Sequence, residues 1–329
     1  MLDEPVPVTI VTGWDARRTG ELIDQLVCSL ESRHIAVVGA RRPNSAAAPA
    51  FFVESEAEIS EQSAGCPCCV VRSDLVRIVA NLTRRIRPPE WILLEAAGWT
   101  DPVIAGQTFL MEPTLAGLAR LDGIVTVIDG SAVGARLRAD ESVWPDPLAG
   151  DQVAVADRVV VTGTPSTDVE DLASAVRAAS ATNGSAEVIV NLGGEFDPAE
   201  VLCLEAFGPS GAAVSAARGP GPTRGADRAL SGSAAHVVEA TGVLDQGRLE
   251  AWLDALHESR DCRLLRLDGV LAIRGRDRQV IFQGIGSNLN RWRGRRFAPG
   301  EPRTNRLVVA GRNLDASSLR ATLAECVAS

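Results

Sequence analysis

The chain has 329 residues, a length for one large or two domains, and its 46% hydrophobic and 23% charged residues are those of a folded globular protein rather than a disordered or coiled-coil one. All 33 cationic residues are arginine, which excludes every mechanism that depends on a lysine, from Schiff-base chemistry to a phosphate-loop lysine. The formal net charge of −9 is unevenly spread: Arg260–Arg312 holds thirteen arginines against Asp261, Asp268, Asp277 and Glu301, a local +9 that leaves −18 for the remainder.

Val6–Thr12 opens the chain as a continuous apolar run, the pattern of a parallel strand buried on both faces. A turn bearing Gly13 and a helical pattern over Glu21–Leu30 follow. A strand, a glycine turn and a helix in that order would house a phosphate loop. Such a loop needs glycines so that backbone amides can wrap the phosphates, a lysine for the β- and γ-phosphates, and a Ser or Thr for magnesium. In Gly13-Trp14-Asp15-Ala16-Arg17-Arg18-Thr19-Gly20, however, Arg18 stands at the place of the second glycine, Thr19 at that of the lysine and Gly20 at that of the hydroxyl. Asp15 adds negative charge where a triphosphate would lie. The segment reads as a vestigial phosphate loop, with Gly13, Arg17 and Arg18 as its remaining candidates for nucleotide contact, and GTP is not expected as a cofactor.

After a second buried run at Ile35–Gly39 comes the sharpest chemical feature, Gly65-Cys66-Pro67-Cys68-Cys69. Thiolates are soft ligands suited to Zn²⁺ or Cu⁺, and Gly65 and Pro67 supply the turn that lets Cys66, Cys68 and Cys69 converge. A fourth ligand could be Glu54, Glu56, Glu61, a distant histidine or water, and the spacing selects none of them. An open fourth position suits exchangeable zinc. A redox-active thiol cluster is the other reading of the same residues. The other cysteines, Cys28, Cys203, Cys262 and Cys326, are scattered and read as small buried residues.

Ser73–Thr83 and Val169–Ala179 continue the helical patterns, and Trp91–Glu95, Gly123–Ile128, Arg158–Thr162 and Glu187–Val190 the buried runs. This alternation over residues 1–207 predicts an α/β fold with a doubly wound, mostly parallel sheet. Thr162-Gly163-Thr164-Pro165 follows the strand where an Asn-Lys-x-Asp guanine motif would sit, and Pro165 offers no carboxylate to the base. No uncharged run approaches the roughly 18 residues that span a bilayer, and Met1–Glu4 is acidic rather than a cationic signal-peptide start. A cytoplasmic protein with no membrane partner is expected. His34, His236 and His257 are each alone, so no catalytic residues are assigned.

Residues 208–234, rich in Gly, Ala, Ser and Pro, read as a flexible linker. Beyond it, residues 235–329 predict a smaller α+β domain. Its strands are Val237–Val243, Cys262–Leu267, Gly269–Arg274, Gln279–Gln283 and Arg306–Ala310, and its helices Gln246–His257 and Asp315–Val327. Within it, Arg291-Trp292-Arg293-Gly294-Arg295-Arg296 combines guanidinium groups with an aromatic ring. Arg291, Trp292, Arg293, Arg295 and Arg296 are therefore candidates for phosphate contact and base stacking on RNA.

The order of these pieces resembles the CobW-like family of P-loop GTPases, many of whose members are zinc metallochaperones or zinc-homeostasis factors. Gly65–Leu75 is similar to the family's G-C-x-C-C motif with its Asp-Leu helix, and Glu95–Pro102 to its E-x-x-G-x-x-x-P switch segment. Leu121–Asp129 and Asp151–Asp157 resemble its next two strands, and Leu265–Gly269, Arg306–Arg312 and Cys326 its tail. The phosphate loop and guanine motif depart from that pattern, and so does the absence of any histidine between His34 and His236. The remainder looks like a divergent actinobacterial member. That resemblance implies a zinc-responsive adaptor without GTPase activity, which associates with the small ribosomal subunit and recruits a hibernation factor under zinc limitation. The alternative it implies is a zinc metallochaperone serving a zinc-client protein, with weak or absent GTP hydrolysis.

Overall fold

The computed structural model describes residues 4–30, 33–39, 51–54, 67–97, 101–194, 197–217 and 232–328. They form two compact units, one of Met1–Arg138, Ala156–Val176 and Val188–Glu205, the other of Ala139–Val155, Arg177–Glu187 and Ala206–Ser329. In chain order the elements are β1 (Val6–Gly13), α1 (Ala16–Ser29), β2 (Ile35–Gly39), β3 (Phe51–Glu54), α2 (Pro67–Thr83), β4 (Trp91–Ala97), α3 (Pro102–Met111), β5 (Ala119–Asp129), α4 (Gly130–Arg138), α5 (Pro147–Ala154), β6 (Arg158–Thr162), α6 (Val169–Thr182) and β7 (Glu187–Asn191). There follow α7 (Pro209–Ala217), β8 (Ser233–Thr241), α8 (Gln246–Glu258), β9 (Arg263–Leu271), β10 (Arg278–Ile285), β11 (Asn288–Arg296), β12 (Thr304–Arg312) and α9 (Ala316–Glu325).

The first seven strands make a parallel sheet in the order β3-β2-β4-β1-β5-β6-β7. Its strands are apolar because both faces are covered: all of β2 and β1 from Val8 onward are buried. Leu22, Ile23, Leu26 and Val27 of α1 pack with Val11, Leu93, Val125 and Val127, each such side chain contributing ~1.5–3 kcal/mol when fully buried. The expected α/β architecture with a doubly wound sheet is what the chain adopts. Helix α1 begins five residues before the predicted Glu21, because Asp15 caps its N-terminus.

In the second unit the antiparallel sheet runs β11-β10-β9-β12-β8. One face carries Val238, Leu267, Leu271, Phe282, Leu307 and Val309, covered by Leu249, Trp252 and Leu253 of α8 and Leu319 and Leu323 of α9. The other face presents Arg266, Asp268 and Gln283, over which Ser215 of α7 donates its hydroxyl to Asp268 at 3.1 Å.

Four readings differ from the structure. Of the scattered cysteines read as buried only Cys326 is so; Cys28 and Cys203 are exposed and Cys262 is half-buried. The predicted break at Asp268 does not exist: β9 runs unbroken through Gly269. That glycine is there because a Cβ would overlap the Leu307 side chain of β12, so it marks a close approach rather than a turn. The start of the composition-defined linker is helix α7, whose small Ala212 and Ala216 bury closely. Finally, the arginine-rich segment is an edge strand, β11, which its charges had hidden from an apolar pattern.

Candidate functional site

The C-terminal ends of β1 and β5 bring the vestigial phosphate loop together. At Gly13 a Cβ would overlap the Val127 carbonyl oxygen, so only glycine lets the strand end pass this close to β5. Next, the Asp15 carboxylate accepts from the Arg17 amide at 2.9 Å and the Arg18 amide at 3.2 Å. These first-turn amides are the groups a helix N-terminus would offer an anion, and the chain's own carboxylate takes them.

Arg18 is largely buried, and its Nε donates to Asp129 at 2.6 Å while its guanidinium also reaches Glu21 at 3.0 Å. The other Asp129 oxygen accepts from the Ser131 and Ala132 amides, capping α4. Burial alone would raise the Asp129 carboxyl, but the Arg18 hydrogen bond and these amides outweigh it and hold it below the ordinary value. Arg17 pairs with Glu21 at 2.6 Å. Two guanidinium groups thus face three carboxylates, Asp15, Glu21 and Asp129, and the cluster carries net negative charge. Both nominated arginines are committed to carboxylates within the chain. Asp129 and Glu21 were not foreseen as part of this cluster. The available signal for Asp129 was a carboxylate ending a buried strand just before Gly130-Ser131, a helix-capping pattern.

Around this centre, Glu95, two residues before the end of β4, lies against Gly39 of β2, where any Cβ would overlap the Glu95 side chain. Asp101 caps α3 by accepting from the Val103 amide at 2.9 Å. Gly98, Trp99 and Thr100 of the switch segment lie outside the described residues. The loop after β6 is closed by its own groups: the Thr164 amide donates to the Thr167 hydroxyl at 2.8 Å, and the Gly163 amide to Asn191 O at 2.9 Å.

Cys66 also lies outside the described residues, as do Glu56 and Glu61. Pro67 is the first residue of α2, which places Cys68 and Cys69 in that helix's first turn. Among the described residues no three His, Cys, Asp or Glu side chains gather as a metal site, and no helix is long and apolar enough to cross a membrane.

The basic segment is brought together only in part. Arg291 stands opposite Phe282 on β10 and Arg293 opposite Val280, whereas Trp292 stands opposite Ile281. Strand alternation therefore puts the indole on the sheet face away from Arg291 and Arg293, and Trp292 does not join them as a stacking platform. Arg295 is held by Glu301, to which it donates at 2.8 Å, and the Ala298 amide donates to the same carboxylate at 2.7 Å. The Arg295 hydrogen bond, reinforced by that amide, pulls the Glu301 carboxyl down to about 2. An NMR titration of the Glu301 side chain is expected to show that midpoint. Because the folded value lies below the unfolded one of 4.5, the contact is complete above pH 4.5 and is lost as pH falls toward 2. A midpoint near 4.5 would show the contact to be absent in solution.

Residues 7–190 match the family CobW/HypB/UreG, nucleotide-binding domain, and residues 233–327 the Cobalamin synthesis protein cobW C-terminal domain. The chain is 28% identical to the zinc chaperone CobW of Pseudomonas aeruginosa, over 97% of this chain and 92% of that protein. It is 26% identical to the zinc chaperone YjiA of Escherichia coli, over 85% and 86% of the two chains. The crystal structure of Zn(II)-bound YjiA GTPase from E. coli superimposes with a TM-score of 0.77 at 20% identity, covering 98% of this chain and 99% of that one. With matches to both domains in chain order, the protein belongs to the CobW family.

Proposed function

We propose that this protein handles zinc: it takes up Zn²⁺ through Cys66, Cys68 and Cys69 and passes it to a zinc-client protein without turning over GTP. The observations that carry the reading are the G-C-x-C-C motif of the sequence, whose Cys68 and Cys69 fall in the first turn of α2, and a phosphate-loop position closed by Asp15, Arg18 and Asp129. Unpaired amides in a helix's first turn favour thiolate over thiol, the form that binds zinc. Three protein thiolates leave one tetrahedral position for an exchanging ligand, which suits delivery rather than permanent retention. Relatives named as zinc chaperones support the same role.

The test is paired zinc-binding and GTP-hydrolysis measurements on the full chain. One Zn²⁺ per chain with GTP hydrolysis at background is expected, with or without zinc. GTP turnover that Arg18→Ala abolishes would overturn the second half of the proposal, and failure to bind zinc the first.

A second reading adds ribosome association. The arginines of β11 would contact phosphates of the small subunit, and the protein would recruit a hibernation factor under zinc limitation. The clustering of arginine on β11 and its neighbours favours it. Gradient sedimentation of lysates from zinc-replete and zinc-depleted cells tests it, with co-migration in the depleted state expected. Protein at the top of both gradients would discard it.

A further inference from the structure

We infer that the second unit carries a binding cleft for an oligophosphate, a site independent of zinc handling. The cleft lies between the start of α8, the β9–β10 turn and the edge strand β11, and it encloses about 630 Å³, within the ~300–1,000 Å³ range of small-ligand sites. Arg276, Arg278, Arg291, Arg293 and Arg296 line it, against the two carboxylates of Glu250 and Asp277. Leu249, Val280 and Phe282 add apolar wall, which strengthens the field of the surplus positive charge.

Of the five guanidinium groups, three are engaged at the cleft and two are not. Arg276 and Arg293 are exposed and find no side-chain hydrogen-bond or ion-pair partner among the described residues. Arg296 pairs with Asp277 at 3.3 Å, but both side chains are about 70% exposed, so solvent screens the pair and it yields readily to a ligand. Arg291 is steadied over the Phe282 ring at 5.3 Å and by Glu250 at 3.1 Å. Arg278 donates to the Gly294 carbonyl at 3.2 Å, which keeps it at the rim.

Charge on an edge strand also serves to block pairing with another sheet. That accounts for the arginines of β11 but not for Arg276, which sits on a turn, or Arg278, which begins the interior strand β10. Guanidinium forks bind phosphate oxygens bidentately, and five of them around one concavity match two or more linked phosphates better than one. Phosphates of this kind come from a free oligophosphate or from a nucleic-acid backbone. The concave shape and small volume favour the first.

Calorimetry of the full chain with inorganic tripolyphosphate, orthophosphate and a single-stranded RNA oligomer separates the possibilities. Tripolyphosphate is expected to bind once per chain and more tightly than orthophosphate. The R276Q/R293Q double variant is expected to weaken it by more than about tenfold, since it removes two charge-assisted hydrogen bonds to phosphate. R295Q, outside the cleft, and R17A/R18A should leave binding within about twofold, as neither touches the site. Tripolyphosphate binding that survives R276Q/R293Q, or that R17A/R18A removes, would overturn the inference. So would binding of the RNA oligomer without tripolyphosphate, which would assign the cleft to a phosphodiester backbone.

Discussion

Serine in place of Cys66, Cys68 and Cys69 together is expected to lower zinc affinity beyond the roughly 10–100-fold that loss of a single outer partner costs, because the soft ligands themselves are removed. A hydroxyl does not ionise near neutral pH and binds Zn²⁺ poorly, so what remains is at most one carboxylate or imidazole and water. Competition against a chromogenic chelator measures the change. Cys28→Ser with Cys203→Ser is the matching control, since both thiols are exposed and free. The expected result is full zinc affinity in the control and loss in the triple variant. A triple variant within a few-fold of the parent would place the zinc elsewhere and remove the basis of the proposed function.

The largest expected effect on stability is at Asp268. Arg266 and Asp268 are 5% and 1% exposed and joined by a hydrogen bond of 2.8 Å. Gln283 donates to Asp268 at 3.0 Å, and the Arg266 guanidinium also donates to Val155 O at 2.9 Å and lies 4.8 Å from the Phe207 ring centre. Removing one charge of such a pair strands the other in a dry interior, whereas removing both relieves the desolvation of each. Asp268→Ala is therefore expected to cost ~3–5 kcal/mol in urea unfolding, and the double variant Arg266→Met with Asp268→Leu to recover most of it. A loss below about 1 kcal/mol would mean that water reaches the Arg266 guanidinium when Asp268 is gone. The same pair anchors α7 through Ser215, so the single variant should also expose that helix to hydrogen exchange.

Much of the fold was legible because its strands are buried on both faces. Val6–Thr12, Ile35–Gly39 and Arg158–Thr162 read as uninterrupted apolar runs for that reason, and helices between them force parallel pairing. The elements that were missed have weak local signals. Strand β11 carries four arginines, and α7 is built of Ala, Ser and Gly that composition assigns equally to a linker. Gly269 misled in the opposite direction, since a glycine required by a neighbour's side chain is indistinguishable along the chain from one required by a turn.

The sequence by itself determined what this protein lacks and what kind of metal chemistry it offers. No lysine exists for the phosphate loop, and three cysteines crowd into four residues, facts independent of any packing. The tertiary structure alone decided which charges are available. Arg18 and Asp129 lie 111 residues apart and meet because β1 and β5 are neighbours in the sheet, so an arginine that looked free for phosphate is neutralised inside the chain. Conversely, Arg276 and Arg293 come together at one cleft because β10 pairs back on β11, and the two carboxylates that line it, Glu250 and Asp277, pair with Arg291 and Arg296 instead. Local pattern sets the elements, whereas strand order sets which distant charges share a low-dielectric neighbourhood, and it is there that a charge is either cancelled or left for a ligand.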